Sequence, residues 1–205
     1  MSELDRDTVI TAALEMFVHR GYDTTTLADI ATATRLEPDV VDAAFPDKAL
    51  IVVAVLDTIL AAIADELATV ATADLLEALH AAHQSVLRRI SAGDGPVSRG
   101  HMQRMRMLVM TSQRLAQTVS ARRREVLTTA LTRHFGDHYT DQDIRKAVTL
   151  WSAIAVGAYT AGTKEAHDVA PNADLLDTEQ MRQRLERTFH KFRQAPGGTP
   201  VKPES

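Results

Sequence analysis

Three carboxylates fall within six residues in the run Glu37-Pro38-Asp39-Val40-Val41-Asp42-Ala43-Ala44-Phe45, which contains no lysine, arginine or tyrosine. Ionised carboxylates only accept hydrogen bonds. The stretch therefore offers either a negative surface for a basic partner or an ordinary solvent-exposed helix face. The charge around it is of the same sign: the first fifty residues carry four Lys/Arg against ten Asp/Glu, a net of −6, and the remainder nets +2. Residues 95–124 show the opposite bias, with seven arginines and no acid. There Met102, Met105, Met107 and Met110 alternate with Arg99, Arg104 and Arg106. Methionine adapts its shape to flexible apolar ligands, and arginines at a pocket mouth suit an acyl chain carrying phosphates. Met102, Met105, Arg106, Val109 and Trp151 are the candidate ligand-binding set, with core filling and solvated arginines as the plainer alternatives.

Two histidine pairs, His80-x-x-His83 and His134-x-x-x-His138, have ligand-like spacing. Neither gains a third ligand at a fixed helical offset, so they are expected to be structural. No nucleophile elbow, glycine-rich phosphate loop or catalytic carboxylate pair occurs. An enzyme is not expected, and no cofactor or metal is assigned. The absence of cysteine, of a basic-then-apolar leader and of a long apolar run fits a cytoplasmic chain.

The elements that must position these residues are helical, and the expected class is all-α with about nine helices. Val9, Ile10, Ala13, Leu14, Phe17 and Val18 recur at helical spacing from about Asp5 to Arg20, and Gly21 supplies the left-handed stop. Thr26 with Asp29 resembles a capping box for a helix that carries Leu27, Ile30 and Ala31 inward to about Thr34. Pro38 opens a third helix. A fourth is expected from Asp47 to about Ala71, then Leu75–Ile90, Arg99–Met110, Ser112–Phe135, Asp141–Gly162 and Thr178–Phe192. From Gln194 the composition is that of a disordered tail. The expected domains are 1–50, 51–193 and the tail 194–205.

Ile10, Ala13-Leu14, Phe17, Arg20-Gly21-Tyr22, Thr24-Thr25-Thr26-Leu27, Ile30-Ala31 and Phe45-Pro46-Asp47-Lys48 with Leu50 resemble, at matching spacing, the DNA-binding domain of the TetR family of bacterial regulators. The resemblance implies a helix-turn-helix whose third helix lies in the major groove. It also implies a body that dimerises through its last two long helices and holds a small effector. The body loosely resembles acyl-CoA-like ligand-binding domains of some actinobacterial members, with Met107–Leu115 and Ala121–Phe135 in the corresponding place.

Carried over residue by residue, Thr24, Thr25, Thr26 and Lys48 match positions that touch phosphates, and Arg6 reaches towards the backbone. Family members usually have Gly at 35, a small hydroxyl at 37, a base near 38–39 and tyrosines at 42 and 44. This chain has Arg35, Glu37, Pro38, Asp39, Asp42 and Ala44. Leu36, Val40, Val41, Ala44 and Phe45 are expected to face inward, and Glu37, Asp39, Asp42 and Ala43 outward. The DNA-binding set is thus Thr24, Thr25, Thr26, Arg35, Glu37, Asp39, Asp42 and Lys48. The expected function is a dimeric, ligand-responsive repressor with an acidic recognition helix, acting on operator DNA and a small apolar or acyl-type effector. The alternative is a TetR-fold protein without DNA binding that works through a protein partner at the acidic head, a heterodimer or ligand binding alone.

Overall fold

The computed structural model describes residues 3–160 and 177–195. Among these residues there are nine helices and no strand: α1 Glu3–Arg20, α2 Leu27–Thr34, α3 Pro38–Ala44, α4 Ala49–Leu67, α5 Leu75–Ala92, α6 Arg99–Thr111, α7 Gln113–Phe135, α8 Asp141–Thr160 and α9 Thr178–Gln194. The expected loop between the last two helices and most of the expected tail lie outside the described residues. No described helix is long and apolar enough to cross a membrane.

The chain divides into two compact units, Met1–Thr58 with Gly100–Ala121, and Ile59–Arg99 with Arg122–Ser205. The head expected over residues 1–50 lies within the first unit, where residues 100–121 pack with it. Polar contacts tie them there. His101 and Thr11 share a 2.9 Å hydrogen bond, Arg104 donates to Glu15 at 3.1 Å, and Arg114 reaches Asp47 at 3.4 Å. The arginine-rich run partly answers the acidic head, although exposed pairs of this kind contribute only about 0–1 kcal/mol each.

In the first unit, Val9, Ala13, Leu14 and Phe17 form the buried stripe of α1, against which Ile30, Ala31, Val41 and Phe45 are also buried. Gly21 ends α1 with φ 101°, a conformation that costs a glycine nothing. Thr26 caps α2. Its hydroxyl accepts from the Asp29 amide at 3.1 Å, and the Asp29 carboxylate accepts from the Thr26 amide at 2.9 Å. This reciprocal arrangement is the expected capping box. The Thr26 hydroxyl, which donates to the Asp29 carboxylate, and then the Thr26 amide hold that carboxyl below its usual range.

The second unit packs α5, α8 and α9 against one another. Asp74 caps α5 by accepting from the Leu76 and Glu77 amides, and Gly93 closes its far end in the left-handed region. Arg193 of α9 returns to the same cap, donating to Asp74 at 2.9 Å and Glu77 at 3.0 Å. On α8, Ile144, Ala147, Val148, Trp151, Ile154, Ala155 and Ala158 are buried, while Ala153 and Val156 face outward. On α9 the buried stripe is Met181, Leu185 and Phe189 at an even spacing of four. Thr188 and Phe192 are half-exposed.

Candidate nucleic-acid interface

The helix-turn-helix is built from α2, the turn at Arg35-Leu36 and α3. Arg35 sits in the left-handed region, φ 58° and ψ 32°. It is the one non-glycine with positive φ among the described residues. Its amide and that of Leu36 return to the end of α2, the latter donating to the Ala31 carbonyl at 3.1 Å. That is the helix ending usually given to glycine or asparagine. A side chain with a Cβ pays about 1–2 kcal/mol to adopt it.

Glu37 occupies the N-cap of α3 but makes no side-chain cap, and Pro38 fills the first turn, where a missing N–H costs nothing. A carboxylate without a capping bond forgoes about 1 kcal/mol that a well-placed small hydroxyl would contribute. Val41 and Phe45 are fully buried, and the Arg6 guanidinium lies 4.5 Å from the Phe45 ring centre. Glu37, Asp39, Asp42 and Ala43 are exposed, as expected from the helical faces. Val40, expected inward, is 37% exposed. Val41 already fills the inward position, and a seven-residue helix turns its neighbour towards solvent. Leu36 and Ala44 are half-buried. An open groove lined by Arg6, Asp39, Val40, Ala43 and Ala44 runs along this face.

The residues expected to contact phosphates are used differently. Thr24 donates to the Arg20 and Gly21 carbonyls at 2.5 and 3.1 Å, and Thr25, only 1% exposed, donates to the Gly21 carbonyl at 2.9 Å. Both hydroxyls thereby cap the open end of α1. Thr26 donates to Asp29 at 2.6 Å. A hydroxyl has a single proton to give, and here all three are given inward. Lys48 goes the same way. Its ammonium donates to the carbonyls of Tyr22, Asp23 and Thr25 at 2.6, 3.2 and 3.1 Å. It also lies 4.6 Å from the centre of the Tyr22 ring. Three donors meet three carbonyls, so Lys48 clamps the α1–α2 turn. Tyr22 itself packs edge-on against Phe17, and burial together with the nearby Asp47 pushes its phenol up to about 12.

Residues 9–55 match the family model of bacterial regulatory proteins, tetR family. Over those residues the head is similar to the TetR family. Solved structures that match the chain include a proposed TetR-family regulator from Mesorhizobium loti, with 13% identity, TM-score 0.49 and coverage of 93% of this chain and 98% of that one. Thermus thermophilus FadR, a TetR-family repressor solved with lauroyl-CoA, shares 17% identity at TM-score 0.48, covering 93% and 97%. AlkX of Dietzia sp., a TetR-family repressor, shares 18% at TM-score 0.42, covering 89% and 97%. No curated protein matches the chain.

Of the eight candidate DNA-binding residues, the TetR-type head presents four outward: Arg35, Glu37, Asp39 and Asp42. Thr24, Thr25 and Lys48 are committed to the α1–α2 turn and Thr26 to the cap of α2, although Thr24 and Thr26 are themselves exposed. The Asp47 pairing with Arg114 was not legible before the helices were folded together.

The candidate ligand-binding residues are divided between the two units. Met102 and Met105 are 5% and 6% exposed on α6 in the unit of the TetR-type head, Arg106 is 7% exposed, and Val109 is half-buried. Met110, grouped with them by sequence, is 46% exposed. Trp151 belongs to the other unit, where it is fully buried and its indole N–H donates to His83 Nε2 at 3.2 Å. His83 Nδ1 lies 2.8 Å from the Leu79 carbonyl. An indole only donates and a carbonyl only accepts, so His83 is the neutral tautomer protonated at Nδ1. Burial pushes its pKa down to about 3. Both ring nitrogens are thereby engaged within the protein. His80 instead stacks on Phe189 at 4.1 Å and pairs with Glu186 at 3.0 Å.

Proposed function

We propose that the chain is a dimeric, ligand-responsive transcriptional repressor whose TetR-type head binds operator DNA through α3. The observation that carries this reading is the intact inward face of the helix-turn-helix: Ile30, Ala31, Val41 and Phe45 are buried, and the match extends over residues 9–55. Dimerisation is assigned to α8 and α9, and the outward side of α8 offers Ala153, Val156 and the half-buried Gly157 for close helix approach. The effector is assigned to an apolar or acyl-type molecule, supported by Met102, Met105, Arg106 and Val109 on α6. An effector that binds one state of the regulator better than another shifts its DNA affinity by that difference alone.

The test is selection of genomic fragments bound by the purified chain at low salt, repeated with and without a long-chain acyl-CoA. A recurring sequence, bound less tightly as salt is added and released by the acyl-CoA, supports the reading. Failure to enrich any sequence at low salt removes it.

A second reading is favoured by Lys48 and the outward carboxylates. With the turn lysine clamped inward and three acids on α3, the head presents few cations to a polyanion. On that reading the acidic face meets a basic segment of a protein partner. Enrichment of a defined DNA sequence, with no partner recovered from extracts, removes this second reading.

A further inference from the structure

The exposed side chains of α3 and its N-cap are Glu37, Pro38, Asp39, Val40, Asp42 and Ala43. None of them carries a hydrogen-bond donor. Asp39, Asp42 and Ala43 share a helical face at offsets of three and four, and Val40 lies beside them in the groove that Asp39 and Ala43 also line. Among the described residues, two exposed cations adjoin this face: Arg35, held in the left-handed turn just before α3, and Arg6 at the groove edge.

Each base pair shows the major groove a fixed set of groups. Guanine shows two acceptors, adenine an acceptor and an amine, cytosine an amine, and thymine an acceptor and a methyl. A face without donors cannot satisfy guanine N7 and O6, which are the commonest targets of specific contacts. Its carboxylates can accept from amines, and its methyl-bearing residues can cover methyls. Adenine places N7 beside its amine and repels the second carboxylate oxygen, whereas cytosine places a C–H there.

We propose that α3 is an acceptor-only reading face: Asp39 and Asp42 accept from cytosine amino groups, and Val40 and Ala43 cover thymine methyls. This rests on the DNA-binding reading above. Arg35 and Arg6 then supply phosphate contacts that position the helix without specifying sequence. With so few cations, the salt dependence of binding is shallow, and removing Arg35 lowers its slope by about one.

The experiment uses the full chain and a duplex enriched from random sequence at low salt, resynthesised with single base analogues. The expected result has three parts. Replacing guanine by 7-deazaguanine, which lacks the N7 acceptor, leaves affinity within about twofold. Replacing cytosine by 2-pyrimidinone, which lacks the amine, lowers it about tenfold at the contacted positions, in line with one specific contact. Uracil for thymine lowers it about threefold, as loss of one methyl contact would. A protein variant provides the converse. Asp42→Asn, exposed and able to donate as well as accept, shifts the preferred base at its position from cytosine towards adenine.

Sequence-specific binding that weakens with 7-deazaguanine and ignores loss of the cytosine amine overturns the acceptor-only face while leaving the regulator reading intact. Failure to enrich any DNA overturns both.

Discussion

Two polar stretches of the head, Thr24–Thr26 with Lys48 and Glu37–Asp42, belong to the same helix-turn-helix and are used in opposite directions. The first spends its protons inward: three hydroxyls and an ammonium satisfy the last carbonyls of α1, the carbonyls of the following turn and the carboxylate that caps α2. A helix leaves its final carbonyls without partners of its own. The second stretch has nothing to satisfy. Pro38 removes one orphan donor at the start of α3, Glu37 does not cap, and Asp39 and Asp42 point to solvent. Charge that stabilises the fold is thus separated from charge available to a partner. The more basic stretch belongs to the fold and the acidic one to the surface.

That contrast can be broken or sharpened by substitution and by pH. The largest effect is expected from an inward polar group of the second unit, the buried His83. In the unfolded chain it takes a proton near pH 6.5, whereas the folded chain resists until about 3. Between those values the unfolded state binds more protons, so stability falls as the solution is acidified, by about 1.4 kcal/mol per pH unit. His80, also lowered by burial, adds in the same sense. Urea titrations between pH 7 and pH 4 measure the slope. His83→Gln, which keeps a donor and an acceptor without titrating there, is expected to flatten it.

Lys48→Ala comes next, with an expected loss of about 2–3 kcal/mol. Three charge-assisted bonds to carbonyls disappear together from a half-exposed site. Thermal unfolding reads this directly. An unchanged melting temperature accompanied by weakened DNA binding would turn Lys48 back into a surface cation and erase the contrast.

Arg35→Gly is expected to stabilise the head by about 0.5–1 kcal/mol, since glycine relieves the left-handed strain but adds freedom to the unfolded chain. Lower DNA affinity in a more stable protein would show that the strain is kept for the guanidinium. The smallest effect belongs to the combined change Glu37→Gln, Asp39→Asn and Asp42→Asn. Surface substitutions of this kind move stability by within about 0.5 kcal/mol. A larger loss in the unfolding midpoint would mean that the acids support α3 after all.

Much of the architecture was legible in the residues. Helical spacing placed Val9, Ala13, Leu14 and Phe17 on one face, Thr26 and Asp29 announced a cap, and Gly21 and Pro38 marked an end and a start. Periodicity follows from local geometry, so local sequence carries it. Three things were hidden. Val40 faces outward because the short α3 has room for one buried valine, and spacing alone ranked Val40 equal to Val41. Thr24, Thr25 and Lys48 share residue type and position with DNA-contacting groups, and only the backbone carbonyls near them show that their protons are spent. Residues 100–121 join the head through His101, Arg104 and Arg114, contacts spanning 67 to 90 positions in the chain that no local pattern encodes.

The sequence by itself determined an all-α chain with a TetR-type helix-turn-helix, and it determined that α3 offers carboxylates and methyls without a single donor. These properties depend on residue type and short-range periodicity. The tertiary structure decided which polar groups are left over for a partner. Availability depends on what lies across space from each donor, and for Lys48 that is three carbonyls more than twenty residues back along the chain.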